Sequence, residues 1–249
     1  MKRLCVILAL LLFLCACGQA VQPEEMSVTT ATTTTPTTTE REIDTLPAKA
    51  AKEYASVIQA YSKLLRNRES EKYEGYIAAF MKELDVPERF VAFTEPFYFL
   101  SPLGCAVYDI NKDGVSELIV ADNDYVNDCR NIRSIFTLKN GKPILLGIYG
   151  GNNYWCDIDV DGTLYAHGRG GAYYFEDRVY TLPANGTEFC LMEKRVMDTF
   201  DHDNDGIDEE SYYFEKDGVK TYLSREEYSA LESFHVKERL ELALAPITP

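Results

Sequence analysis

The sequence predicts an α+β protein: an N-terminal helical hairpin, an antiparallel β-meander folded as an open curved sheet, a small sandwich or a partial propeller, and a C-terminal helix. Three observations predict it. Apolar residues recur at helical spacing between Pro47 and Leu84. Beyond Pro96, short runs rich in Tyr, Phe, Val and Ile alternate with Asn-Gly and Asp-Gly pairs, the strongest short-range hairpin signal. Near the end, Ser224-Arg225-Glu226-Glu227 spells a capping box that opens a helix.

The chain has 249 residues, enough for one sizeable core, and its hydrophobic content of 46% is that of a globular protein. With 17 Tyr and 12 Phe against 1 Trp, its aromatic bias suits β-structure. Net charge is -15, and losing Lys2 and Arg3 with a leader would make it -17 (-15 - 2). A surface that acidic excludes nucleic acid and anionic lipid headgroups as expected partners and is compatible with binding cations.

Met1 to Cys17 reads MKRLCVILALLLFLCAC: two basic residues, an apolar run too short for an ordinary transmembrane helix, and small residues before a cysteine. This is the pattern of a secretory leader. Leu14-Cys15-Ala16-Cys17 resembles the lipobox of bacterial lipoproteins, which implies a mature chain that begins at a lipid-bearing Cys17 and faces outside the cell. The membrane is then a partner through that lipid alone. Residues 18–46 contain VTTATTTTPTTTE, too poor in apolar groups to offset ordering entropy. They form a disordered linker, about 90 Å long at full extension.

Residues 47–96 are read as the helical segment. Tyr54, Val57, Ile58, Tyr61, Leu64 and Leu65 share one helical face between Pro47 and about Asn67. A second helix runs from about Glu71 to Leu84, with Tyr73, Ile77, Phe80, Met81 and Leu84 on its apolar side, and Pro87 ends it. The polar faces are not strongly basic, so core packing is favoured over membrane-surface binding. Residues 97–249 are read as a β-rich domain of about ten strands, forming one globular unit with 47–96. At its close, Tyr228, Leu231, Phe234 and His235 continue at helical intervals, and the apolar pattern persists through Leu240, Leu242 and Leu244 to Pro246.

Three acidic loops of the form D-x-[DN]-x-D-G begin at Asp109, Asp157 and Asp201, 48 and 44 residues apart (157 - 109 and 201 - 157). That interval matches a propeller blade, but the chain is too short to close a ring. The first loop offers Asp109, Asn111, Asp113, the Val115 carbonyl and Glu117. The third offers Asp201, Asp203, Asp205, the Ile207 carbonyl and Glu209. Alternating oxygen donors followed by Gly suit Ca²⁺. The twelfth positions hold Val120 and Tyr212 rather than the Glu of an EF-hand, and the loops instead resemble the β-hairpin calcium loops of FG-GAP repeats. A polar hairpin without an ion is the plainer reading of each. In the middle loop Tyr165 replaces Glu, which leaves a plain hairpin; Asp159 to Leu164 also resembles the first motif of haloacid-dehalogenase phosphatases, but without the βαβ context that family requires.

No G-x-S-x-G, H-E-x-x-H or Cys/His signature is present, and His167, His202 and His235 lack metal-ligand spacing. Gly150-Gly151 and Gly168-Arg169-Gly170-Gly171 read as tight turns or bulges. Cys105, Cys129, Cys156 and Cys190 permit two disulfides, with Cys105–Cys129 and Cys156–Cys190 the favoured pairs, or four free thiols. Tyr154, Trp155, Tyr165, Tyr173 and Tyr174 surround Gly-rich turns, either as a platform for a glycan or protein or as core and cross-strand pairs.

From about Ala48 to Phe234 the outline resembles a group of surface lipoproteins of Gram-positive gut bacteria, through YDINKDGVSELIV, DGTLYAHGRGGAYY and LSREEY. The resemblance implies location and fold, and it carries no activity. The expectation is therefore a non-enzymatic, lipid-anchored surface module, stiffened by calcium, that binds a glycan or surface protein. An extracellular metal-dependent hydrolase using Asp159, Asp161 or other paired carboxylates is the alternative, and a purely structural envelope protein is a third.

Overall fold

The structure is a computed structural model that describes residues 46–87, 102–123, 131–150, 153–170, 174–200, 208–231 and 236–249. The leader, Cys17, the Thr/Pro tract, Cys129, Tyr173, His202, His235 and the third-loop residues Asp201, Asp203, Asp205 and Ile207 lie outside the described residues.

Helices α1 (Ala48–Glu53), α2 (Ala55–Arg66) and α3 (Tyr73–Glu83) come first. The single helix expected from Pro47 to Asn67 is interrupted at Tyr54. That side chain is buried, and its hydroxyl donates to the Ser116 carbonyl at 2.7 Å, so the break coincides with an anchor onto the sheet below. Tyr61 does the same from the next turns, sharing a 2.7 Å hydrogen bond with the Ser134 hydroxyl while its ring meets Phe80 of α3 edge-on.

Two open sheets follow, every pairing antiparallel. The first contains β1 (Leu103–Tyr108), β2 (Glu117–Asp122), β3 (Ile132–Lys139) and β4 (Lys142–Ile148), with the two-residue β11 (Ala245–Pro246) added beside β1. The second is a six-stranded meander: β5 (Tyr154–Ile158), β6 (Leu164–Arg169), β7 (Tyr174–Thr181), β8 (Cys190–Phe200), β9 (Glu209–Lys216) and β10 (Val219–Leu223). Asn140-Gly141 and Asp217-Gly218 both hold positive φ at their two central residues, the mirror-image turn that matches strand twist.

The layers explain the sequence. Leu103, Cys105, Leu118, Val120 and Phe136 face the helices, whereas Ala106, Ile119, Ala121 and Ile135 face the second sheet. Strand β2 is thus covered on both sides, which is why it reads as an unbroken apolar run. Across the gap stand Cys156, Ile158, Leu164 and Ala166 from β5 and β6. At the edge of this core Arg133 grips Asp122 through two 2.8 Å bonds, both side chains almost fully buried.

Helix α4 (Arg225–Ala230) begins at the expected capping box, with Ser224 accepting from Glu227 N–H and the Glu227 carboxylate accepting from Ser224 N–H. Its Tyr228 ring lies 5.1 Å from Tyr212 of β9. Over residues 236–249 the chain is extended rather than helical: Leu242 and Leu244 enter the inter-sheet core and Ile247 N–H donates to the Leu103 carbonyl. The segment is a strap that joins the β5–β6 hairpin to β1.

Cys105, Cys156 and Cys190 are free thiols, so the Cys156–Cys190 bridge is absent. Cys156 sits on β5 and Cys190 on β8, three strands away, or about 14 Å at the usual strand spacing, beyond disulfide reach. Burial pushes the Cys105 thiol up to about 11.

Candidate functional site

The first acidic loop is occupied with holding itself and its neighbours. Asp109 accepts from the N–H groups of Asp113 (3.1 Å) and Gly114 (2.9 Å), and Asp113 accepts from Val115 N–H (2.8 Å). Two further bonds leave the loop: Asn185 N–H donates to Asp113 at 2.7 Å, and the Asn111 amide donates to the Pro183 carbonyl at 2.8 Å. Both partners belong to the β7–β8 turn of the other sheet. Burial pushes the Asp113 carboxyl up, but the amides of Asn185, Val115 and Asn111 outweigh it and hold the group below the ordinary range.

Glu117 stands apart from the other four donors. It is fully buried, accepting from Ile110 N–H at 2.9 Å and from the Thr137 hydroxyl at 3.0 Å. Its ninth-position carboxylate thus closes the base of the hairpin from inside. Burial raises its pKa, with the bonds from Ile110 and Thr137 working against that shift. Among the described residues, no three or more His, Cys, Asp or Glu side chains gather as a metal site. Asp109, Asn111, Asp113 and the Val115 carbonyl remain as an oxygen set on the loop, short of the six to eight oxygens Ca²⁺ takes unless water supplies the rest.

The middle loop packs against the first. Gly162 has φ +90, and a Cβ there would overlap the Ile110 carbonyl oxygen and stand 3.0 Å from its carbon. Tyr108 hydroxyl donates to the Val160 carbonyl at 2.8 Å across the same contact. Asp159, only 3% exposed, accepts from the N–H groups of Lys237 (2.9 Å) and Glu238 (3.4 Å), and Val160 N–H donates to the Glu238 carbonyl. Asp161 accepts from Thr163 N–H, which holds its carboxyl below the ordinary range, and Asp157 pairs with Arg239 at 2.6 Å. Asp157 and Asp159 staple the strap to the hairpin, whereas Asp161 closes its own turn.

Strand alternation divides the aromatic residues. Tyr154 and Tyr174 belong to the inner face of the second sheet, which carries Cys156 and Ala166, whereas Trp155 and Tyr165 belong to the outer face. Tyr154 stacks on Tyr149 at 5.7 Å. Trp155 lies between its cross-strand neighbour His167 (5.4 Å) and the Arg169 guanidinium (5.2 Å), which also approaches Phe175. His167 shares a 2.7 Å hydrogen bond with Asp177. The outer face is therefore a ladder of cross-strand pairs, and Tyr154, Trp155, Tyr165 and Tyr174, the four described residues of the predicted platform, are divided between the two faces.

The inner face holds a polar cluster the sequence reading missed. The Glu176 carboxylate, 9% exposed, receives the Tyr174 hydroxyl (2.7 Å), an Arg178 Nη (2.7 Å) and Lys194 Nζ (3.4 Å), and Arg178 also reaches the Tyr180 hydroxyl. Gly168 opposite leaves the room, since a Cβ there would meet Glu176 Cγ at 2.9 Å. Burial first, then the bond to Glu176, keeps the Tyr174 phenol well above its ordinary pKa. Toward β10 the same face opens: Lys220 lies over the Tyr213 ring at 3.6 Å, and Tyr222 is 67% exposed. The available signal was Glu176-x-Arg178, opposite charges on one face of a predicted strand.

No family model matches the chain, and no curated protein matches it. A solved structure of a Xanthomonas protein related to a type IV secretion system is 16% identical over 49% of this chain and 58% of its own length, with a TM-score of 0.27. At that TM-score the likeness carries no argument about fold or function.

Proposed function

We propose that this chain is a lipid-anchored, extracellular binding module, tethered through Cys17 and the Thr/Pro linker, whose ligand is a glycan or a surface protein. The helical hairpin and closing helix brace the two sheets, and the inner face of β7–β10 carries the ligand. The observation that supports this is the Glu176, Arg178 and Lys194 cluster beside Tyr174 and Tyr213. It sets charged hydrogen-bonding groups of both signs next to aromatic rings on a face that opens to solvent, a combination that suits a hydroxyl-rich or peptide surface. The phosphatase-like reading finds no support in the positions of Asp159 and Asp161, since both accept from nearby backbone amides.

Glycan arrays and pulldown from envelope extracts with wild type, Lys194→Ala and Tyr213→Ala test the proposal. Retention of a glycan or protein by wild type and its loss in both variants is the expected result. Retention unchanged in both variants moves the ligand off this face, and no retention by wild type favours a purely structural envelope role. Calcium stabilisation belongs to the same proposal, through Asp109, Asn111, Asp113 and the Val115 carbonyl, with Glu117 outside the ligand set.

A further inference from the structure

Strand β10 ends the second sheet, and its row of residues is exposed from Val219 to Tyr222. Val219 is 65% and Tyr222 67% exposed, and among the described residues no further strand pairs with this edge. The β9–β10 turn is the two-residue Asp217-Gly218 with both φ values positive, which makes Lys216 and Val219 a hydrogen-bonded pair. Pairs then alternate: Phe214 with Thr221 is bonded, while Glu215 with Lys220 and Tyr213 with Tyr222 are not. The backbone N–H and C=O groups of Lys220 and Tyr222 therefore point away from β9, outward from the sheet edge.

We propose that β10 is a homodimer edge, on which a second copy of this chain adds its own β10 antiparallel about a two-fold axis through Thr221. The sequence Val219-Lys220-Thr221-Tyr222-Leu223 is self-complementary in that register. Lys220 of one copy faces Tyr222 of the other, and these are the residues with outward backbone groups, so each such pair exchanges two hydrogen bonds. On the inner face the Lys220 ammonium meets the second copy's Tyr222 ring, the contact Lys220 already makes within one chain at 4.6 Å. On the outer face Val219 meets Leu223 and Thr221 meets Thr221. A register shifted by one residue would place side chains on mismatched faces, and a two-residue shift would set Lys220 against Lys220 or Tyr222 against Tyr222. Helix α4 follows β10 and packs on the outer face of the sheet, where its Tyr228 ring lies 5.1 Å from Tyr212 of β9.

Thr221→Cys in the full chain tests the proposal. In the two-fold register the two Thr221 residues form a non-hydrogen-bonded pair, with Cα atoms about 4.5 Å apart, within disulfide reach. Val219→Cys is the control, because the two Val219 positions are then separated by four residues along the strands, about 13 Å. Under mild oxidation, Thr221→Cys should form a covalent dimer on a non-reducing gel beyond any formed by wild type through exposed Cys190. Val219→Cys should not. Sedimentation of the wild-type chain over a concentration series should show a monomer–dimer equilibrium that Tyr222→Pro, which removes an outward N–H, abolishes. Equal cross-linking at both positions, no cross-linking at Thr221→Cys, or a wild-type chain monomeric at every concentration would overturn the proposal.

Discussion

Gly162→Ala and Gly114→Ala form a matched pair that isolates what joins the two sheets. Both glycines have φ +90, so each alanine carries the same backbone strain, about 1–2 kcal/mol for an L-residue held on the left-handed side. Their surroundings differ. At Gly114 no heavy atom lies within 4 Å of the added Cβ, whereas at Gly162 the Cβ overlaps the Ile110 carbonyl oxygen. Restoring an ordinary contact of roughly 3.5 Å requires the two loops to separate by on the order of an ångström. That displacement adds an overpacking cost of about 1–3 kcal/mol and strains the Tyr108–Val160 bond across the same contact. Gly162→Ala should thus cost about 2–5 kcal/mol and Gly114→Ala about 1–2 kcal/mol. Urea midpoints at unchanged m give both numbers. Equal losses in the two variants would refute the view that the middle hairpin is wedged against the first acidic loop.

Glu117→Gln keeps both partners, since the amide oxygen accepts from Ile110 N–H and the amide nitrogen donates to the Thr137 hydroxyl, while removing a buried charge. Because the folded pKa of Glu117 is raised, the carboxylate costs stability as pH climbs from its unfolded pKa through the folded one. The variant should match wild type below about pH 4 and equal or exceed it at neutral pH; a variant less stable at neutral pH would contradict this. Asp159→Ala leaves the Lys237 and Glu238 amides without their buried acceptor, an expected loss of about 1–3 kcal/mol. Hydrogen exchange should rise first in residues 237–244, and uniform loosening would count against a local staple. With four protein oxygens, calcium affinity should fall in the range of about 0.1–1 mM typical of extracellular modules, so 1 mM calcium adds about 0.4–1.4 kcal/mol. Melting temperature should rise by roughly 1–5 °C, unchanged in Glu117→Gln and lost in Asp113→Ala. Arg133→Ala takes the guanidinium from the buried Asp122 carboxylate and should cost about 3–5 kcal/mol by the same denaturation assay.

Strand positions and turns were legible because they depend on local chemistry. Asn140-Gly141 and Asp217-Gly218 form the hairpins their residues dictate, and Ser224 with Glu227 caps a helix wherever it is placed. The end of the chain follows a different period from the helix before it. Leu240, Leu242 and Leu244 recur every two residues, which is strand spacing, and they extend along the sheets instead of prolonging α4. The aromatic grouping is divided for a related reason: adjacent Tyr154 and Trp155 point to opposite faces of a strand. What the sequence could not yield was partnership at a distance. Asp113 with Asn185 and Asp159 with Lys237 are separated by 72 and 78 residues, and no local pattern distinguishes a carboxylate that binds an amide across the fold from one that binds an ion.

Holding the β7–β8 turn and binding a cation are physically compatible tasks for the first loop, and the proposed ion site would make calcium an indirect probe of the sheet contact. Each carboxylate oxygen carries two lone pairs; Asp113 Oδ2 uses both on Asn185 N–H and the Asn111 amide, so Asp113 keeps the bond from Asn185 if a cation takes the second lone pair of Oδ1, which accepts from Val115 N–H. An ion that used the free lone pairs would draw the loop together around the existing bonds and strengthen its hold on the β7–β8 turn. An ion that displaced Asn185 would gain a ligand and lose the tie to the second sheet. The distinction lies in one amide. Hydrogen exchange at Asn185 should slow in millimolar calcium if the loop binds the ion and rivets the sheets at once. Faster exchange there, alongside a higher melting temperature, would mean that the loop exchanges one task for the other.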